Sequence, residues 1–423
     1  MLQEFRVHNY RNVSGGPFTF GRINVLIGPN NSGKSNMMDA IGFLSQLVER
    51  APERGGITTF HSALAARGWD NLLDRRGSDD RILDLEWTFI TDIERHEPFR
   101  YQISSHLGKA EQIPRGFFIE KEVLSFAQAS QPNRAPFTFF ECHVERSGLG
   151  AFSAKKSDGR PVREKLTISP QETVLQQVDA LLEDERFRTT LYPQFQKSTR
   201  AVRQFFGRYR TYASTSLNLE QMSRAVPLDS MPRVLSTQAD NYANVIKNLI
   251  EDERSGFLDA YLDRMRELLP ELRDLRTYSA GEQNIVLKLK LGSQWYGLHE
   301  LSHGTRKALL LCLLLFTPER YSVLSLDEPE LNLHPAWLRV IGRWMQRFTS
   351  SPQLFISTHS PDLLDVLTEG FKAEEIRVFV FGAGSQPGPV LLNPATLREQ
   401  FAEGWELGDL YRVGEPLLGG WPW

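Results

Sequence analysis

A chain of 423 residues is long enough for two or three folding units with real cores, and 41% hydrophobic with 24% charged residues is ordinary globular composition. The formal net charge of -3 excludes a surface that is basic all over, so any nucleic-acid contact has to be local. Cys142 and Cys312 are too few for a disulfide framework or a Cys-rich zinc site, which fits a reducing compartment.

The opening Met1-Leu2-Gln3-Glu4-Phe5-Arg6 lacks the pattern of a secretory signal. Ile23 to Ile27 is a short apolar run ending in Gly28-Pro29, the signature of a buried strand that feeds a loop, and Asn36 to Val48 then reads as a helix. Short β-type stretches at Ile82–Ile90, Phe99–Ser104 and Phe137–Val144 suggest an antiparallel layer beside a parallel core. From about 170 to 270 the pattern turns helical, over Glu172–Glu185, Ser198–Tyr209 and Ala239–Leu269, without a sustained heptad. Alternation from Ile285 to Leu291, then Gly292-Ser293 and Trp295-Tyr296, predicts a hairpin. A helix from Thr305, a strand Ser322–Leu326, a helix after Pro335 and strands Gln353–Ser357 and Ile376–Phe381 complete an alternating α/β order, which implies a parallel sheet. The most apolar run, Ala308 to Phe316, has nine residues, well short of the ~20 a membrane span needs. The expectation is a soluble, cytoplasmic protein with no membrane partner.

Two segments carry chemistry. Gly28-Pro29-Asn30-Asn31-Ser32-Gly33-Lys34-Ser35 fits the phosphate-loop pattern, placed between a predicted strand and a predicted helix. Its glycines let backbone N–H groups close around phosphate oxygens, and the following helix points its positive end at them. Lys34 and Ser35 serve phosphate and Mg²⁺. The strand Ser322–Leu326 runs into Asp327-Glu328-Pro329-Glu330. In a phosphate-loop enzyme the first acid can hold Mg²⁺ through water, and the second can orient or deprotonate the attacking water.

Together these segments resemble the soluble ABC-type ATPases of the SMC, RecF and OLD branch, including the AAA_21-like ATPases of two-gene anti-phage systems. Asp327 to Pro335 looks like that branch's Walker B and D-loop, Leu301-Ser302-His303-Gly304-Thr305 like its signature motif, and Ile356 to Pro361 like its switch-histidine strand. The opening Phe5 to Asn12 resembles the first hairpin. The resemblance implies an α/β ABC-type head, a parallel core plus an antiparallel β layer, with an inserted helical subdomain. The expected boundaries are 1–165 and 276–423 for the head and 166–275 for the insert. It implies ATP and Mg²⁺ as cofactors, with Gly28, Asn30, Asn31, Ser32, Gly33, Lys34, Ser35, Asn36, Arg11 and Asn12 around the nucleotide and Ser35 and Asp327 on the metal. Glu328 and His359 become the catalytic candidates. Ser302, His303 and Gly304 would serve the nucleotide of a second copy, so that two ATP are sandwiched between two heads.

The motifs depart from the family pattern in places. His303 and Thr305 replace residues common in the signature, His334 replaces the Asp of transporter-type D-loops, and no Mg²⁺-contacting Gln is assigned, Gln102 and Gln112 being no more than candidates. Ser279-Ala280-Gly281-Glu282-Gln283 looks closer to a signature as text, but it lies 48 residues before Asp327, against 25 for Ser302, and precedes a strand.

Weaker signals remain. Lys197, Arg200, Arg203, Arg208 and Arg210, interleaved with Phe205, Phe206, Tyr209 and Tyr212, are the candidate DNA contact, set against a plain amphipathic helix with a solvated basic face. The Trp- and Gly-rich tail from Gly404 suggests a segment pinned to a surface. The expected function is an ATPase that gates a separate effector, nuclease or toxin, in anti-phage defence. The alternative is a RecF-like repair ATPase that loads on DNA. The acids beyond His359, among them Asp362, Asp365, Glu374, Glu375 and Asp409, form no strand-borne Asp-x-Asp pair, so cleavage of nucleic acid is expected to belong to another polypeptide.

Overall fold

The computed structural model describes residues 1–48, 63–64, 67–68, 72–73, 81–91, 97–107, 117–129, 135–144, 149–155, 161–167, 172–183, 185, 193–252, 256–382 and 388–418. They fall into two compact units, 1–21 with 29–209 and 381–391, and 22–28 with 210–380 and 392–423.

The first unit contains β1 (Leu2–Tyr10), β2 (Val13–Thr19), β4 (Ile82–Phe89), β5 (Phe99–Leu107), β6 (Phe117–Phe126), β7 (Thr138–Val144), β8 (Leu149–Lys155) and β9 (Pro161–Thr167). They form one antiparallel sheet in the order β2-β1-β4-β5-β6-β7-β8-β9. In β5 every second residue, Phe99, Tyr101, Ile103, Ser105 and Leu107, is buried, the period-2 pattern of a sheet with one covered face. That face is covered in part by α1 (Lys34–Val48) and α3 (Pro193–Gly207), with α2 (Val174–Glu183) nearby in the same unit. Trp87 on β4 donates its indole N–H to Ile41 O at 3.0 Å, and Phe89 stacks on Phe205 with ring centroids 4.7 Å apart.

The second unit is built on a sheet in which β15 (Val323–Asp327), β16 (Leu354–Ser357), β3 (Ile23–Ile27) and β17 (Ile376–Val380) run parallel in that order, with β10 (Tyr209–Ala213) beside β15. β3 and β16 are buried at every position, as expected of central parallel strands covered on both faces. The helices here are α4 (Tyr242–Ile250), α5 (Phe257–Arg266), α6 (His303–Phe316), α7 (Pro335–Gln346), α8 (Pro361–Lys372), α9 (Arg398–Ala402) and α10 (Leu407–Arg412). A small antiparallel sheet joins β11 (Val226–Pro227), β13 (Asn284–Leu291), β12 (Leu272–Ser279) and β14 (Gln294–Gly297), the last being the predicted hairpin partner of β13. α6 is buried from Thr305 to Leu315, which accounts for the apolar run, and no helix among the described residues is long and apolar enough to cross a membrane.

The stretch 166–275 is not one helical body. α2 and α3 belong to the first unit, while α4, α5, β11, β12 and all of β10 but Tyr209 belong to the second. The apolar faces decide this division. Phe195, Val202, Phe205 and Phe206 of α3 are buried in the first unit, whereas Tyr242 and Tyr261 share a 2.7 Å hydroxyl contact and Tyr261 donates to Leu309 O of α6 at 2.7 Å. The helical run expected over 239–269 is two helices, α4 ending at Ile250 and α5 starting after Gly256, which takes a left-handed conformation with φ 56°.

Candidate functional site

In the parallel sheet the register aligns Asp327 of β15 with Ser357 of β16 and Ser357 with Leu26 of β3. Gly28 therefore leaves β3 at the same carboxyl edge where the acid pair leaves β15. Ligand chemistry in open α/β sheets gathers at this edge.

Within the first unit the rest of the loop is a closed turn leading into α1. The Ser32 N–H donates to Pro29 O at 3.4 Å, and the Lys34 ammonium, only 6% exposed, donates to Pro29 O at 2.8 Å. Asn30, Asn31 and Ser35 are exposed at its mouth. The backbone bends through left-handed values at Asn31, φ 61°, and Gly33, φ 113°. A Cβ on Gly33 would stand 3.0 Å from Asn12 Oδ1, so the first hairpin is seated against the loop. Asn12 donates its amide to Asn31 O at 2.9 Å and accepts from Asn36 Nδ2 at 2.7 Å, and Arg11 donates to Asn36 Oδ1 at 2.7 Å. Arg11 and Asn12 thus brace the loop backbone and the first turn of α1. Behind them Asp39 pairs with Arg67 at 2.5 Å and accepts from the Tyr10 hydroxyl at 2.6 Å.

Within the second unit the acid pair is held from both sides. Asp327 accepts from the Ser357 hydroxyl, and the Glu328 N–H donates to Ser357 O at 3.1 Å. Glu328 is in the left-handed region, φ 50°, which costs a side-chain-bearing residue roughly 1–2 kcal/mol. Its carbonyl accepts from Ser214 Oγ at 2.5 Å. His359 lies just past β16 with Nε2 3.9 Å from Glu328 Oε1, and its backbone N–H donates to Glu330 Oε1 at 2.7 Å. Burial raises the Glu330 carboxyl, opposed by the His359 N–H.

Ser302 is the N-cap of α6. It is exposed, and its Oγ accepts from the Thr305 N–H at 3.1 Å and pairs with Thr305 Oγ1 at 2.9 Å. Thr305 is buried and is the residue capped, whereas Ser302 and His303 are exposed at the positive end of a 14-residue helix. Gly304 cannot carry a side chain without movement, since a Cβ would stand 2.9 Å from Asn332 O. His334 caps α7 by accepting from the Ala336 N–H at 3.1 Å, a task Asp performs equally well, so the departure at this position keeps the turn.

Other candidates fall elsewhere. Lys197, Arg200 and Arg208 are exposed in the first unit and Arg203 is half-buried, with Arg210 half-buried in the second. Phe205, Phe206, Tyr209 and Tyr212 are all core residues, so the aromatic half of the proposed base-stacking surface faces inward. Gln102 sits in the middle of β5, between Glu86 and Val123 in register, and Gln112 lies outside the described residues. The signature-like text at Ser279–Gln283 is the turn between β12 and β13, closed by Ala280 N–H on Asn284 O at 2.8 Å.

Sequence reasoning missed Lys307, Ser214 and Tyr411. The Lys307 ammonium is 2% exposed and donates to Ser214 Oγ at 2.6 Å, Leu331 O at 2.7 Å and Glu328 O at 3.4 Å. Burial pushes it down to about 8, with Glu330 and Glu328 acting in the opposite sense. Its place directly after the signature was the available signal. Ser214 and Tyr411 had none, because long-range packing alone brings them to this edge.

A family model described as "AAA domain, putative AbiEii toxin, Type IV TA system" matches residues 23–102 and 120–365. No curated protein matches the chain. Among solved structures, an SMC head bound to the C-winged helix domain of ScpA is similar at 13% identity and a TM-score of 0.46, covering 92% of this chain and 97% of that one. The SMC head domain from Thermotoga maritima is similar at 14% identity and a TM-score of 0.38, over 92% and 98% of the two chains. The Pyrococcus furiosus SMC head, with an extended coiled coil and bound to a ScpA domain, is similar at 11% identity and 0.40, over 95% and 98%. The family match carries the weight: it spans the phosphate loop, the signature helix, the acid pair and His359, and the chain belongs to this AAA-domain family of ABC-type ATPases.

Proposed function

We propose that this chain binds ATP with Mg²⁺ between two copies of itself, hydrolyses it, and uses the cycle to gate a separate effector protein, a nuclease or toxin, in anti-phage defence. The observation that carries the reading is the shared sheet edge, where Gly28 opens the phosphate loop in line with the strand that ends in Asp327 and Glu328. The Ser35 hydroxyl and the Asp327 carboxylate are hard oxygen donors of the kind Mg²⁺ takes, and they are the residues proposed to hold it. Glu328 orients or deprotonates the attacking water, and His359 donates to the γ-phosphate. The outward-facing Ser302 and His303 suit a nucleotide held by a second copy. The toxin and toxin–antitoxin description of the family supports an effector partner.

Glu328→Gln tests the chemistry. ATP affinity should stay within a few-fold of wild type while turnover slows by at least a few hundredfold, and ATP should then trap closed dimers visible by light scattering. Hydrolysis at the wild-type rate would remove Glu328 from the mechanism. The repair alternative predicts strongly salt-dependent DNA binding by the isolated chain, whereas the gate predicts a tight complex with a second polypeptide, and that polypeptide, not this chain, cuts nucleic acid.

A further inference from the structure

His359 has three close neighbours. Its backbone is tied to Glu330, its Nε2 faces Glu328, and its Nδ1 lies 3.3 Å from the hydroxyl of Tyr411. Tyr411 belongs to α10, far along the chain, yet α10 is locked onto α8, the helix that begins two residues after His359. The Leu407 N–H donates to Thr368 Oγ1 at 3.0 Å, and Arg412 reaches Asp362 at 3.2 Å and Asp365 at 3.0 Å. Gly408 marks how close the two helices come, since a Cβ there would stand 2.1 Å from Asp365 Oδ1 and 2.2 Å from Pro361 O. Leu407 and Leu410 are buried in the same contact.

We infer that Tyr411 is a positioning residue for ATP hydrolysis: its hydroxyl donates to Nδ1 of His359 and so fixes the imidazole tautomer that carries its proton on Nε2, aimed at the reacting side. The inference rests on His359 acting at the γ-phosphate. An imidazole that donates from Nε2 must accept at Nδ1, and a phenol O–H within reach of Nδ1 supplies that bond. Burial raises the Tyr411 hydroxyl, which keeps it protonated and able to donate. The tail helix is thereby part of the catalytic edge, although the phenol itself touches neither substrate nor metal.

The test is a double-mutant cycle on the full-length chain, reading kcat and KM for ATP in Mg²⁺. Tyr411→Phe removes one oxygen, and it should lower kcat about tenfold, with KM for ATP within about twofold and Tm unchanged. His359→Ala should lower kcat by at least about tenfold, and adding Tyr411→Phe to it should change the residual rate by less than about twofold, because the hydroxyl then has no imidazole to orient. Unchanged turnover in His359→Ala would sink the γ-phosphate role and this inference with it. A slowed His359→Ala enzyme alongside wild-type turnover in Tyr411→Phe would leave the histidine reading standing and overturn the role of Tyr411. So would a further tenfold loss in the double variant.

Discussion

Glu122 shows how one residue sets a measurable property of the first unit. Its carboxylate lies in β6 and accepts the Val174 N–H at 2.6 Å and the Tyr101 hydroxyl at 2.6 Å, so it caps α2 from inside the protein. Burial outweighs those bonds and pushes the carboxyl from 4.5 up to about 7. The sign follows from proton binding: between those two values the folded state keeps a proton that the unfolded chain releases, so stability falls as pH rises from 4.5 to 7 and stays low above it. Glu122→Gln keeps an acceptor without the charge. Its Tm should exceed that of wild type at pH 8, by a stability gain on the order of 1–3 kcal/mol, and should lose the wild-type decline between pH 5 and 7. An unaltered decline in the variant would show that Glu122 ionises without penalty. Nothing in the local sequence Ile119-Glu120-Lys121-Glu122 distinguishes this glutamate from its exposed neighbour Glu120, since only the arrival of α2 from 52 residues away buries it.

At the scale of elements, α6 and the turn after β15 behave as one piece. Lys307 on α6 holds Leu331 O and, through Ser214, the backbone of Glu328, the left-handed residue proposed to act on the attacking water. Lys307→Met should keep ATP binding and lower kcat at pH 7 about tenfold, because the turn loses the charged donor that ties it to the signature helix. Wild-type kcat should also fall as pH rises past about 8, where the buried ammonium loses its proton beside Glu328 and Glu330, and Lys307→Arg should flatten that fall. A pH profile identical in wild type and Lys307→Arg would assign the titration to another group. Much at this level was legible beforehand. The apolar runs that became β3, β15, β16 and β17 declare themselves because central parallel strands are buried on both faces, and the capping residues Ser302 and His334 sit where the sequence puts helix starts, whereas α8, the helix that Ser360 caps, is not among the elements read from the sequence. What stayed hidden depended on partners distant in sequence. β12 alternates too weakly to read alone and is made a strand by pairing with β13, and the tail's anchor is Leu407, Leu410 and Tyr411, whereas Trp405 is exposed and Trp421 and Trp423 lie outside the described residues.

At the scale of the whole molecule, Lys34 lies in the first unit, and Ser302, Asp327, Glu328 and His359 lie in the second. The outward-facing Ser302 sets a sharper condition, because in the proposed dimer each ATP takes Lys34 from one copy and Ser302 from its partner. Lys34→Ala homodimers lose the phosphate contact in both sites, and Ser302→Arg homodimers block both sites from the opposite side, so each protein alone should be inactive. A mixed dimer is different. Both defects fall in the same site, the one built from the Lys34→Ala loop and the Ser302→Arg helix, and the remaining site combines a native loop with a native helix. Random mixing at equal amounts puts about half of all dimers in the mixed state, each with one intact site, so recovered turnover should approach about a quarter of wild type if sites work independently. The measurement is steady-state ATPase across a titration of one variant into the other, with subunit exchange followed separately by mass or fluorescence. Recovery should peak at equal amounts and vanish at either end. Exchange without any recovered turnover would mean that the sites are not shared between copies or that one intact site cannot fire alone. Adding Glu328→Gln to the Ser302→Arg chain should then abolish the recovery, because the intact site of the mixed dimer takes its acid from the chain that supplies its native Lys34, and that chain is the Ser302→Arg variant.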